Sequence, residues 1–134
     1  MKIMIILAWI FLGSLTVQAQ LVVSVSQPKV VGQKTVVKLV MKNNLTETVE
    51  SARAVVFLLD DQGKMVGQST KWVIGDSKDR PPLKPKSEVK FNFVVSSLQP
   101  FAATNLTAKI SFSRVVLERG KLADVRRDVS VTTP

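Results

Sequence analysis

From residue 21 onward, apolar and polar positions alternate with a period of two in short runs, separated by turn-forming residues. That spacing places alternate side chains on opposite faces of a strand. Leu21–Ser26 is the first run and is closed by Gln27-Pro28. Thr35–Lys42 is cleaner, with Val37, Leu39 and Met41 on one side and Lys38 and Lys42 on the other. Ser51–Leu59 is apolar on both sides, as a central strand should be, and Asp60-Asp61-Gln62-Gly63 follows as a tight turn. Met65–Ile74 is the returning strand. Gly75–Lys86 carries Pro81, Pro82 and Pro85, which remove backbone donors, so this segment reads as an ordered surface loop.

Val89–Val95 alternates again, with Val89, Phe91, Phe93 and Val95 inward and Lys90 and Asn92 outward. Leu98–Thr104 reads as a linker. Leu106, Ala108, Ile110 and Phe112 then share a face, and after Arg114 the apolar phase slips to Val115-Val116-Leu117, the mark of a β-bulge. Glu118–Lys121 reads as a second hairpin turn, and Val125, Val129 and Val131 as the last apolar face. No helical periodicity is sustained in this region, and no internal repeat is visible. About seven short strands at this spacing predict an all-β fold, an immunoglobulin-like β-sandwich, with an open barrel as the competing architecture. The disulfide and Trp marks of antibody domains are missing.

The first nineteen residues follow a different pattern. Lys2 precedes a nearly continuous apolar run, Ile3–Leu15, and Val17-Gln18-Ala19 sets small residues before Gln20. This is the layout of a secretory signal peptide cleaved between Ala19 and Gln20. The run is shorter than the ~20 residues of a membrane-spanning helix. The expected organisation is a leader, 1–19, and one sandwich domain, 20–134, acting in the periplasm or outside the cell. Removing nineteen residues from 134 leaves 115, enough for one modest core.

Composition narrows the chemistry. Cysteine and histidine are absent, which removes disulfides, thiol nucleophiles, the Ser-His-Asp triad and the usual zinc ligands. No phosphate-cradling glycine loop is present. Asp60, Asp61, Asp76 and Asp79 lack calcium-loop spacing and read as turn formers and neighbours of Lys78 and Arg80. Asn44-Leu45-Thr46 and Asn105-Leu106-Thr107 fit the glycosylation pattern, but both stand at strand–loop junctions where polar residues are expected anyway. No enzyme, cofactor or metal site is expected.

The formal charge is +9, and +8 without Lys2. Lys78, Arg80, Lys84, Lys86 and Lys90 form the densest basic group and are the candidate anion-binding residues, against the plainer reading of a solvated loop. Trp72 either packs one face into a core, the commoner role of a strand Trp, or is an exposed interface residue.

The stretch Val56–Gly67 resembles the bacterial FxLYD family, through Leu58, Asp60, Gly63, Lys64 and Val66, with Val56 and Leu59 where the family has Phe and Tyr. Val40–Asn44 and Leu83–Glu88 extend the resemblance over roughly residues 35–95, with Lys86 standing where the family has Gly. The resemblance implies an extracytoplasmic β-sandwich without an established catalytic role. Together these features predict a secreted or periplasmic, non-catalytic module that binds another envelope protein through a sheet edge or face. The alternative is a basic surface that binds anionic polysaccharide, lipid headgroups or nucleic acid.

Overall fold

A computed structural model describes residues 19–97, 100–102 and 105–134. The leader up to Gln18, and Leu98, Gln99, Ala103 and Thr104 of the expected linker, lie outside the described residues. The strands are β1 (Leu21–Val25), β2 (Lys29–Val31), β3 (Lys34–Asn43), β4 (Ser51–Leu59), β5 (Met65–Ile74), β6 (Glu88–Ser96), β7 (Thr107–Val116) and β8 (Val129–Thr132). A 3-10 turn spans Glu118–Gly120, and a single helical turn, α1, spans Val125–Asp128. No helix among the described residues is long and apolar enough to cross a membrane.

The strands form two sheets. In the larger, β3 pairs antiparallel with β6 along one side and with β2 and β1 along the other, and β8 joins β1 in parallel. In the smaller, β4 lies between β5 and β7, both antiparallel to it. The fold is therefore an all-β sandwich. Val23, Val37, Leu39, Met41, Phe93 and Val95 of the larger sheet and Ala52, Ala54, Val56, Leu58, Ala108, Phe112 and Val115 of the smaller form one buried cluster. Each fully buried Val, Leu, Met or Phe contributes roughly 1.5–3 kcal/mol, which must supply what disulfides would otherwise add.

Two irregularities in the smaller sheet set which side chains face outward. Ala52 pairs with Ile74 but Arg53 pairs with Trp72, so β5 carries one extra residue there and Val73 and Ile74 are both buried. On the other side Arg53 pairs with Arg114 and Ala54 with Phe112, so Ser113 is the inserted residue. This is the expected bulge, and it lets Phe112 and Val115, three apart, both point inward.

The loops are held by named contacts. Asp60 Oδ1 accepts from the amides of Gln62 and Lys64, and Gly63 has φ +79°, closing the β4–β5 turn. Buried Asn43 ties two loops together at the end of β3. Its Nδ2 donates to the carbonyls of Glu47 and Leu83, each at 2.9 Å, and its Oδ1 accepts from the Leu45 amide. Gly75 has φ +68°, and a Cβ there would lie 2.1 Å from the Glu50 carbonyl oxygen. The side of the sandwich between β5 and β6 is closed by Lys71, whose Nζ donates to the Val94 carbonyl at 2.6 Å and lies over the Phe93 ring.

Three details go beyond the strand-by-strand sequence reading. β2 is an eighth strand, made possible by the two-residue turn at Gly32, φ +60°, and Gln33. The segment after Glu118–Lys121 does not return along β7 as a hairpin strand. It makes one bridge, Val116 to Leu122, and then crosses so that β8 joins the larger sheet. Trp72 is outside the buried cluster and lies half-buried on the outer face of the smaller sheet.

Candidate functional site

The two outer faces differ in chemistry, and each follows from strand parity. On the larger sheet, β3 turns Thr35, Val37, Leu39, Met41 and Asn43 inward, so Lys34, Val36, Lys38, Val40 and Lys42 face solvent. Register then sets β6 beside them, with Lys38 opposite Asn92, Val40 opposite Lys90 and Lys42 opposite Glu88. Lys29 enters from β2, opposite Val36. The result is a face of five lysines, Lys29, Lys34, Lys38, Lys42 and Lys90, interleaved with valines and containing one acid, Glu88. Lys38 and Lys90 line one shallow depression, and Lys38 and Lys29 line another.

On the smaller sheet, β4 presents Arg53, Val55, Phe57 and Leu59 outward, all half-buried. Thr70, Gln68 and half-buried Trp72 flank them on β5, and Met65 at the near end is 52% exposed. Lys109, Ser111 and Arg114 flank them on β7. The Arg53 guanidinium lies 5.5 Å from the centroid of the Trp72 ring, and its Nε donates to Ser113 Oγ at 3.0 Å. β4, β5 and β7 contain no Asp or Glu.

The five residues of the Arg80 loop and following strand are only partly brought together. Arg80 and Lys90 line one crevice, with Asp79, Pro81, Val89 and Phe91. Arg80 is half-buried, and its Nε donates to the Gly75 carbonyl, so it braces its own loop. Lys78, Lys84 and Lys86 are exposed on the loop and do not line that crevice. Lys90 belongs by register to the lysine face of the larger sheet. Sequence reading missed Lys29, Lys34, Arg53 and Arg114 as members of these faces. The usable signal was the four-residue spacing Lys34, Lys38, Lys42 with valines between, which fixes a common side once the strand phase is known.

A third surface feature is a cleft of about 280 Å³ between α1 and the loop after β3, lined by Leu45, Glu47, Leu117, Lys121, Arg127 and Asp128 among others. Its cations are paired internally, Lys121 with Glu47 and Arg127 with Asp128, while the Asp124 carboxylate accepts from the Arg126 amide. The Glu118 carboxylate next to it accepts from the Thr48 amide at 2.8 Å. This cleft joins α1 to the β3–β4 loop, and both of its cations are already paired. Among the described residues no cluster of acidic side chains has the arrangement of a metal site.

No protein-family model matches the sequence, and a search of curated proteins returns no match.

Proposed function

We propose that the chain is a non-catalytic interaction module, carried across a membrane by the leader Met1–Ala19, that binds another envelope protein through the outer face of its smaller sheet. We read the sandwich as immunoglobulin-like and related to the FxLYD domains that Val56–Gly67 resembles. The observation that carries the binding proposal is the outer row of Val55, Phe57 and Leu59 on β4, with Trp72 opposite Arg53 at one end and exposed Met65 opposite Leu59 at the other. Solvent-facing strands are ordinarily polar on that side. Aromatic residues with Arg are the side chains that dominate the centres of protein interfaces. The face is favoured over the β7 edge because Lys109 and the bulge at Ser113 are the devices by which strands discourage edge pairing.

Photo-crosslinking from Thr70, placed on this face, tests the reading in living cells. The expected result is one dominant adduct that disappears in Phe57→Asp, while a crosslinker at Lys38 on the opposite sheet gives none of it. An identical adduct pattern from both positions removes the proposal.

A second reading is supported by the lysine face of the larger sheet, which would take anionic polysaccharide, lipid headgroups or nucleic acid. Binding there should weaken steeply with ionic strength, because each neutralised phosphate or sulfate releases counterions. Salt-insensitive retention on a polyanion column counts against it.

A further inference from the structure

The geometry points to Arg53 and Arg114 as paired anchors for carboxylates on the partner, so that the smaller sheet recognises an acidic segment of a protein with apolar side chains between its acids. This inference rests on the docking face proposed above and names its chemistry. Arg53 and Arg114 are direct partners across β4 and β7, brought onto one face by the Ser113 bulge. Two like charges directly opposite on a sheet repel. Neither arginine forms an ion pair among the described residues, and the three strands hold no acid that could separate them.

The guanidinium of Arg53 is also oriented. Its Nε donates to Ser113 Oγ, Ser113 Oγ lies 3.3 Å from the Arg53 carbonyl that accepts from it, and the Arg53 Cζ lies 5.5 Å from the centroid of the Trp72 ring. With Nε engaged, the terminal Nη pair remains as the fork that matches a carboxylate in a bidentate manner. Lys109, opposite Phe57, continues the positive edge along β7. Beyond the arginine pair, β4 continues along this face with Val55, Phe57 and Leu59, an apolar strip with Lys109 beside its middle residue. A polyanionic polymer has nothing to place on that strip, whereas a protein segment alternating acidic and aliphatic side chains has both.

The test uses the full chain and two synthetic peptides, one alternating glutamate and leucine, the other glutamine and leucine. Binding is followed by NMR at the Trp72 indole and the Arg53 Nε–H. The glutamate peptide should shift both signals saturably, and the glutamine peptide should bind at least about tenfold more weakly, the loss expected when charge-assisted contacts become neutral. Arg114→Gln should weaken the glutamate peptide by a similar factor. Arg114 is exposed and makes no side-chain hydrogen bond or ion pair among the described residues, so the melting temperature of the variant serves as the folding control. Arg53→Lys, which keeps the charge and loses the fork, should also weaken binding.

Equal affinity for the two peptides overturns the carboxylate assignment while leaving docking at Trp72 in place. Shifts confined to the signals of Lys38 and Lys90 overturn it in favour of the lysine face. Inorganic phosphate that shifts the Arg53 signal as strongly as the glutamate peptide overturns the choice of a protein segment. If neither peptide moves Trp72, the assignment falls, and crosslinking from Thr70 then decides separately whether the docking face survives.

Discussion

Thr35 is fully buried on β3, and its hydroxyl meets no hydrogen-bond partner among the described residues. A buried hydroxyl without a partner keeps its desolvation penalty. Thr35→Val should therefore raise stability by about 1 kcal/mol, read as a higher urea midpoint with an unchanged slope. Lys86 is strained in a different way. Its φ of +66° lies in the left-handed region, in the turn where the Lys86 amide donates to the Asn43 carbonyl at 2.6 Å. A side-chain-bearing residue there costs ~1 kcal/mol, and the greater freedom of Gly in the unfolded chain offsets part of the gain. Lys86→Gly should stabilise by about 0.5 kcal/mol, and Lys86→Ala should change little, which separates backbone strain from loss of charge. The sequence does not show this φ, because the turn closed by the Ser87 amide on the Lys84 carbonyl is also tied to Asn43, far away along the chain.

At the level of elements, the β5–β6 side of the sandwich depends on an inward-pointing lysine. Lys71 sits opposite Ala54, and its ammonium caps the Val94 carbonyl on the edge of the other sheet. Nearby Gly67 leaves room for Leu58, Val95 and Phe101, a Cβ there lying 3.3 Å from the first two. Lys71→Ala removes a charge-assisted bond and a cation–π contact, so unfolding free energy should fall by about 2 kcal/mol, measured by chemical denaturation. Amide exchange of β6 should accelerate more than that of β7, because only β6 loses its cover. Long strands were legible in advance: β4 spans the doubly apolar run Ser51–Leu59, β5 spans the returning segment Met65–Ile74 after the Asp60–Gly63 turn, and the phase slip near Arg114 marks the Ser113 bulge. β2 was not, since three residues carry too little periodicity. The destination of β8 was not either. Val129 and Val131 read as one apolar face, but the choice between β7 and β1 depends on α1 turning the chain, and a single helical turn leaves no periodic trace.

Across the whole molecule, positive charge is concentrated where strands distant in sequence meet. The basic group read along the chain, Lys78 to Lys90, scatters because a loop has no fixed face. The lysine face assembles because β3 and β6, about fifty residues apart, are locked in register. Its centre is Lys38, which shares one depression with Lys90 and another with Lys29. Lys34, Lys38 and Lys42 stand four residues apart, or ~13 Å per step along an extended strand. At 10 mM salt the Debye length is ~30 Å and spans the whole stripe, whereas at 0.15 M it is ~8 Å and isolates each charge. Lys38→Glu should therefore raise the melting temperature by about 4 °C at low salt, which corresponds to ~1 kcal/mol for a domain of this size. The gain should shrink toward zero as salt rises. If Lys38→Glu destabilises at low salt, the lysines do not act as one repelling cluster, and the second functional reading loses its physical basis. If it stabilises and also abolishes polyanion retention, the face holds a charge that costs the fold stability in return for binding. The Arg53–Arg114 pair on the opposite sheet is then the same arrangement on a smaller scale, with carboxylates in place of a polymer.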